Sequence, residues 1–211
     1  MNDPAPDAPR RVTKGERTRA RILDSATELF ARSGFHAVSL RDIAAHAGLT
    51  HAGLLHHFPG KEALLLDVLS LRDETDGRRL FPGTLGPGAP EPDPAERLRR
   101  LVDVVARNAG TPGLVALYAK LSAEASDPEH PAHHYFVRRY QLLRRETTGL
   151  LAELFAAAGP DARGDAAAVA QQLLALMDGL QTQWLLEPGA VDMAEQVRAF
   201  LRRYGLDAGR E

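Results

Sequence analysis

The chain has 211 residues, is 44% hydrophobic and holds no cysteine. This length suits one globular body or a small domain joined to a larger one. The lack of cysteine excludes disulfides and thiolate metal sites, and it favours a reducing, cytoplasmic compartment. No apolar stretch approaches the roughly 18–20 residues that a membrane-spanning helix needs, so we expect no membrane partner.

The net charge of −2 is unevenly distributed along the chain. Residues 1–61 hold nine Lys or Arg against six Asp or Glu, whereas the remainder holds 17 against 22. Six of the nine basic residues fall between Arg10 and Arg21. Such a local excess attracts phosphate groups, although a solvated basic tail would look the same. Residues 1–14 are interpreted as a disordered, Pro-rich leader that lacks the apolar segment of a signal peptide.

The predicted elements are all helical, because Ala, Leu, Arg and Glu dominate and alternating β-branched segments do not occur. Apolar residues at helical spacing predict a first helix over about 17–33, ended by Gly34. A fourth helix is predicted over about 61–79, before a segment at 82–94 with five Pro and three Gly that predicts a loop. Further helices are expected at about 95–108, 112–126, 131–158 and 165–186, followed by a last one capped at Asp192.

Residues 39–61 predict two short helices around a tight turn at Gly48. Ser39 suits the N-cap of the first helix, with Asp42 completing a capping box, and Thr50 suits the N-cap of the second. Leu54 and Phe58 are expected to share the inward face of the second helix. Two helices this short have little core of their own, and this arrangement is typical of proteins that enter the DNA major groove.

The segment 18–69 reads TRARILDSATELFARSGFHAVSLRDIAAHAGLTHAGLLHHFPGKEALLLDVL. It resembles the N-terminal domain of TetR-type transcriptional regulators throughout its length. The resemblance implies an all-α homodimer, with a helix-turn-helix domain at 15–61 and a ligand-binding and dimerisation domain at 62–211. It also implies a repressor without cofactor or catalytic role, whose affinity for a palindromic double-stranded operator falls when a small-molecule effector binds. The helix at 61–79 joins the two domains and is expected to transmit that effect.

The expected DNA contacts lie on the two short helices and at the starts of the helices around them. They are Thr18, Ser39, Arg41, Thr50, His51, Ala52, Gly53, Leu55, His56 and Lys61. The family pattern usually has Tyr where this chain has Leu55, and Lys or Arg where it has His51. Leu55 can touch a thymine methyl group but cannot donate to phosphate. His51 binds phosphate strongly only when protonated, so we expect modest affinity that rises between about pH 8 and pH 6.

The helix at 165–186 is apolar or small nearly all round, which predicts that more than one side of it is covered. Its small residues allow close approach, so this helix and the last one are expected to form a four-helix interface with a partner subunit. The polar side chains before Trp184 serve either that interface or the effector pocket. The candidate ligand-binding residues are Tyr118, Glu124, Tyr135, Arg139, Asp178, Gln181 and Trp184, with core packing favoured for Trp184.

His130, His133 and His134 give the alternative interpretation, a helical metal-binding protein or enzyme. Their spacing near Glu124 suits metal ligation, but polar residues at a helix start are ordinary, so a structural role is favoured. The sequence contains no nucleophile elbow, P-loop or H-E-x-x-H motif. The residues therefore favour DNA binding over catalysis.

Overall fold

The computed structural model describes residues 13–80, 92–159 and 164–209. Within these ranges the chain forms nine α-helices and no strand, which confirms the predicted all-α class. They are α1 Lys14–Ser33, α2 Leu40–His46, α3 His51–Leu55, α4 Lys61–Leu80, α5 Pro94–Asn108, α6 Pro112–Glu124, α7 His133–Ala158, α8 Ala166–Leu186 and α9 Met193–Arg202. Most of the predicted leader and loop lies outside the described residues. None of the described helices is both long and apolar enough to cross a membrane.

The first helix starts earlier than its apolar pattern predicts. Thr13 is its N-cap: the Thr13 hydroxyl accepts from the Glu16 amide at 3.1 Å, and the Glu16 carboxylate accepts from the Thr13 amide at 2.7 Å. This capping box satisfies two helix-start donors before the first apolar residue is reached. The helix therefore begins about one turn before the predicted start at residue 17.

The helix after the Gly48 turn is shorter than predicted, since α3 ends at Leu55 and does not reach Phe58. The amides of His57 and Phe58 both turn back to the Leu54 carbonyl, at 2.9 and 3.0 Å. Pro59 disfavours a helical conformation in the residue before it, which explains the early end. Leu54 and Phe58 still point inward together, and both are fully buried.

Buried residues form two clusters. The first joins α1–α4 to α6 and the start of α7, and the second joins α5, α8, α9 and the rest of α7. The first cluster crosses the domain boundary proposed at 61/62. At Gly113 a Cβ atom would lie 2.4 Å from the Ala31 carbonyl oxygen, so the first turn of α6 rests directly on the α1 backbone. The DNA-binding unit is therefore packed against α6 as well as joined to α4.

The last two helices differ in what they leave uncovered. α9 buries Met193, Val197 and Leu201 inside its own subunit. The side chains of α9 that face solvent are polar, namely Gln196 and Arg202. α8 instead exposes a row of mostly small or apolar residues that is interrupted by Gln172 and bordered by Gln171 and Gln183; its members are Ala168, Gln172, Ala175, Gly179, Thr182 and Leu186. The apolar face of α9 is thus already used within the subunit.

Candidate DNA-binding and ligand-binding sites

The turn between α2 and α3 is fixed by backbone hydrogen bonds around Gly48, whose φ is +65°. The Leu49 amide donates to the Ala44 carbonyl at 2.8 Å, and the Gly48 amide donates to the Ala45 carbonyl at 3.0 Å. This is a Schellman motif, which requires a left-handed residue after the helix. The predicted role of Gly48 is confirmed, and the motif sets the angle at which α3 leaves α2.

The second short helix presents a small outer surface. Thr50 caps it by accepting from the Gly53 amide at 3.0 Å, and a Cβ at Gly53 would lie 3.2 Å from that hydroxyl oxygen. The residues on the solvent side are His51, Ala52, Leu55 and His56, and Leu55 is 41% exposed. A helix with such short side chains at its start can approach base edges closely.

The three hydroxyl groups proposed to contact DNA are not equivalent. The Thr18 hydroxyl donates to the Lys14 carbonyl at 3.0 Å, and the Ser39 hydroxyl donates to the Asp42 carboxylate at 2.6 Å. Phosphate oxygens only accept hydrogen bonds, so these two hydroxyls must leave their present partners to contact one. Thr50 accepts in its cap, and its hydroxyl proton meets no acceptor among the described residues. Thr50 is therefore the hydroxyl best prepared for a phosphate.

The cationic side chains near this surface differ in whether they already have a hydrogen-bond or ion-pair partner. Arg41 is exposed at the start of α2, and no described residue accepts from its guanidinium. Lys61 lies 4.4 Å above the Phe35 ring and reaches the His36 carbonyl at 3.4 Å. Arg19, a possible clamp by its position in α1, is paired with Asp67. Arg41 thus offers the more available charge, while Lys61 has donors left beside its contact with the domain.

Three of the proposed ligand residues meet in a partly buried polar group that we call the Asp73 network, made of Asp73, Tyr118, Tyr135 and Arg139. The Tyr135 hydroxyl donates to the Asp73 carboxylate, and Arg139 Nε donates to the same carboxylate at 3.1 Å. The Tyr118 hydroxyl donates to the Leu69 carbonyl at 2.6 Å and lies 3.3 Å from the Tyr135 hydroxyl. The network joins α4 to α6 and α7.

Burial and the charge of Asp73 set the protonation of this network. Burial raises the pKa of Tyr118 and of Tyr135 well above the ordinary value, and the neighbouring carboxylate raises both further. Burial works to lower the pKa of Arg139, but the combined influence of Asp73, Tyr118 and Tyr135 outweighs it, so that pKa is raised. Both phenols therefore stay protonated as donors, and the guanidinium stays charged.

The remaining ligand candidates lie elsewhere. The Tyr140 hydroxyl donates to the Asp178 carboxylate at 2.7 Å, which ties α7 to α8. Burial raises the pKa of Asp178, and the hydrogen bond from Tyr140 opposes that rise. Trp184 is buried in the second cluster, as the packing role favoured for it predicts. Gln181 is half-buried on α8 and makes no side-chain hydrogen bond to a described residue. The seven candidates do not form one pocket.

Glu124 lies at the junction between the DNA-binding helices and α6, and not with the tyrosines. Its carboxylate is 3.3 Å from His36 Nε2 and 3.7 Å from His130 Nε2. His130 Nδ1 accepts from the Ala132 amide at 3.1 Å, and His133 Nδ1 contacts the Ala125 carbonyl at 2.8 Å. The histidines thus bind the turn before α7, as the structural interpretation predicts. In the described ranges, no three His, Cys, Asp or Glu residues are arranged to hold a metal.

Known proteins match both parts of this architecture. Residues 22–68 match the family described as bacterial regulatory proteins, tetR family. Residues 94–206, more than half of the chain, match the C-terminal domain of BetI-type transcriptional repressors. The chain belongs to the TetR family. The first match ends within α4 and the second begins at the start of α5, so α4 extends beyond the first family segment towards the second.

Individual relatives match this TetR-family chain either over a short segment or over most of its length at lower sequence identity. UidR of Escherichia coli K12 is 39% identical over 62 residues, or 29% of this chain and 31% of UidR. RutR of the same strain is 43% identical over 63 residues, or 27% of this chain and 30% of RutR. The chain thus matches about a third of the length of these curated relatives. A transcriptional regulator from Saccharomonospora viridis, crystallised with choline, is 26% identical with a TM-score of 0.71, covering 88% of this chain and 96% of its own.

Two functional connections were missed from the sequence. Asp73 follows Leu65 and Leu69 at four-residue steps, so its place on the inward face of α4 was the available signal. The contact between His36 and Glu124 spans 88 residues and had no local signal. The Asp73 contacts connect α4 to α6 and α7. The His36–Glu124 contact connects the loop before α2 to the end of α6.

Proposed function

We propose that this protein is a ligand-responsive transcriptional repressor that acts in the cytoplasm as a homodimer on a palindromic operator. The observation that supports it most is the Gly48 turn, which holds α3 with His51, Ala52, Leu55 and His56 facing outward. Helices held in this way read base edges from the major groove. Catalysis is no part of the proposal, since the family is one of regulatory proteins.

Backbone contacts in this proposal come from Arg41, Lys61 and the Thr50 hydroxyl. Arg41 has no partner among the described residues, so DNA binding would not require it to break an ion pair. Phosphate contacts fix the position of the protein, while the exposed α3 residues touch the bases. His51 likewise has no hydrogen-bond partner in the described part of the chain, and its expected pH dependence stays a prediction.

The dimer in this proposal uses α7 and α8. The apolar face of α9 is buried inside the subunit, whereas Leu142 on α7 is 47% exposed and Leu186 on α8 is 83% exposed. The small exposed residues of α8, such as Ala175 and Gly179, allow two α8 helices to approach closely. A C2 dimer places two α3 helices on half-sites about 34–36 Å apart, or a multiple of that distance. In this arrangement the Asp178 carboxylate accepts from Tyr140 on α7 of its own subunit and is not a contact between subunits.

Effector binding would act on α3 through two connections. The Asp73 network ties α4 to α6 and α7, and the Glu124–His36 contact ties the end of α6 to the loop before α2. A hundredfold loss of operator affinity requires about 2.7 kcal/mol of differential effector binding between the two conformations. Both connections are short polar contacts that a change in helix position would stretch.

A gel-shift titration tests DNA binding directly. The probe is DNA upstream of the protein's own gene, with random DNA as competitor at several stated salt concentrations. We expect preferential binding, and we expect Arg41→Gln to weaken binding to every sequence while lowering the salt slope by about 1. Arg32→Gln is the control, because Arg32 already pairs with Glu28 at 3.5 Å on α1. Equal binding to promoter and random DNA would refute the proposal of a specific repressor.

A further inference from the structure

An open cleft lies between the end of α6 and the first three turns of α7, with a volume of about 290 Å³. We call it the α6–α7 cleft, and its lining includes Ser126, His133, Phe136, Val137, Tyr140 and Arg144. We propose that this cleft binds a small organic acid, with the carboxylate at Arg144 and the apolar part against Phe136 and Val137. This assignment of an effector class rests on the proposed function as a ligand-responsive repressor.

The charges around the cleft favour an anion. Arg144 is exposed at its edge, and no described residue pairs with its guanidinium. The lining contains no carboxylate. Three acids lie beside the lining and each has a partner: Asp178 accepts from Tyr140, Glu124 faces His36 and His130, and Asp127 accepts from the Glu129 amide. The partial charges of the α6 C-terminus and the α7 N-terminus are opposite and offset each other, so the full charge of Arg144 decides the sign.

The polar side chains leave hydrogen-bonding groups for a carboxylate. The Ala125 carbonyl can only accept, so His133 donates to it through Nδ1, and Nε2 is the ring nitrogen left for a ligand. Ser126 is exposed, and its hydroxyl has no partner in the described ranges. An Arg–carboxylate pair with neighbouring donors is among the stronger polar contacts in proteins.

The rest of the cleft suits a short apolar group. Val137 is 39% exposed, one of the few large hydrophobic side chains that the described surface leaves open. Phe136 beside it forms part of the buried core. A volume of about 290 Å³ is near the lower limit of ligand pockets, which run from about 300 to 1,000 Å³. A small acid with one ring or a short chain fits these dimensions.

The cleft touches both connections to the DNA-binding helices. The Phe136 ring packs edge-to-face on Tyr118 with centroids 6.2 Å apart, and the Tyr118 hydroxyl holds the Leu69 carbonyl of α4. Ala125, which forms another wall, directly follows the Glu124 that meets His36. A ligand that moves Phe136 or the end of α6 therefore changes contacts on α4 and on the loop before α2.

Calorimetry and thermal unfolding of the full-length protein test the ligand class. The probes are benzoate and hexanoate, their neutral amides benzamide and hexanamide, and choline as a cation. We expect the two carboxylates to bind and raise Tm, the amides to bind at least about tenfold more weakly, and choline not to compete. Arg144→Gln should weaken carboxylate binding about tenfold or more. Arg145→Gln on the same helix should leave it unchanged, because that guanidinium pairs with Glu146 at 2.8 Å.

The outcomes separate this assignment from the proposed repressor. Failure of both acids to bind at millimolar concentration, equal binding of acids and amides, or equal binding by Arg144→Gln and wild type would each overturn the assignment. Tighter binding of choline than of the acids would also overturn it. Operator release is measured separately by gel shift: acids that bind through Arg144 without releasing DNA would support the cleft and contradict ligand-responsive repression.

Discussion

Gly48 shows how much of the DNA-binding surface depends on a single backbone conformation. Its φ of +65° lets the Leu49 and Gly48 amides close the end of α2, and α3 begins only three residues later. A side chain at this position would meet no described atom within 4 Å, so space is not the constraint. The constraint is the left-handed conformation itself, which L-residues with a Cβ atom disfavour.

Replacing Gly48 therefore gives a prediction with a matched control. We expect Gly48→Ala to lower the free energy of unfolding by about 1 kcal/mol, because alanine pays the cost of the left-handed conformation. Gly77→Ala should raise it by about 0.5–1 kcal/mol, since Gly77 lies inside α4 with no described atom near a Cβ. Chemical denaturation measures both. Equal effects of the same sign would contradict the argument.

At the scale of the helices, α4 is held by polar contacts to two neighbours. Tyr118 on α6 bonds the Leu69 carbonyl, and one turn later Tyr135 and Arg139 on α7 bond the Asp73 carboxylate. The helix that follows the DNA-binding helices is thus fixed to the C-terminal helices along about one turn. An effector that moves α6 relative to α7 would therefore stretch the hydrogen bonds of the Asp73 network.

Asp73→Asn tests this connection. The amide keeps one acceptor but loses the charge that Arg139 needs, so we expect the free energy of unfolding to fall by about 2 kcal/mol. Hydrogen exchange of the α4 amides around residues 69–73 should also become faster. Asp103→Asn is the control, because it makes the same change at an exposed position of α5, where no described residue pairs with the carboxylate. A control that is as destabilising as Asp73→Asn would show that the network has no special role.

The sequence predicted the helices well but predicted their polar partners poorly. Caps and turns are local, so Ser39, Gly48 and Thr50 could be assigned from their neighbours in the chain. The end of α3 was misplaced because Pro59 acts on the residue before it, against the inward spacing of Leu54 and Phe58. Tyr118, Tyr135 and Arg139 were named as candidates, but their partner Asp73 lies on another helix at least 45 positions away.

The same limit applied to the ligand candidates as a group. Glu124 and Trp184 were placed with the tyrosines by residue type, whereas the structure puts them at a junction with His36 and in the second buried cluster. Residue type suggests what a side chain can bind, but only the packing of α4, α6, α7 and α8 decides which side chains meet. Arg144 is absent from the candidate ligand residues for that reason.

At the scale of the whole molecule, one exposed surface packs against no other described part of the chain. The exposed row on α8 is small and weakly polar, and Leu186 at its end is almost fully exposed. Exposed apolar rows of this sort mark interaction surfaces. Reading two half-sites requires two copies of α3 at a fixed separation, and packing α8 against a second α8 supplies the symmetry that a palindrome needs.

Ala175→Arg tests this interface, because Ala175 is exposed near the middle of the α8 row. A long cation there would prevent close helix approach without disturbing the buried side of α8. We expect the variant to sediment as a monomer with the helical content of wild type. Its operator affinity should fall at least about a hundredfold, since each half-site is then bound alone. Ala106→Arg, at an exposed position of α5 outside the proposed interface, should stay dimeric. A dimeric Ala175→Arg protein with unchanged operator affinity would place the interface on another face.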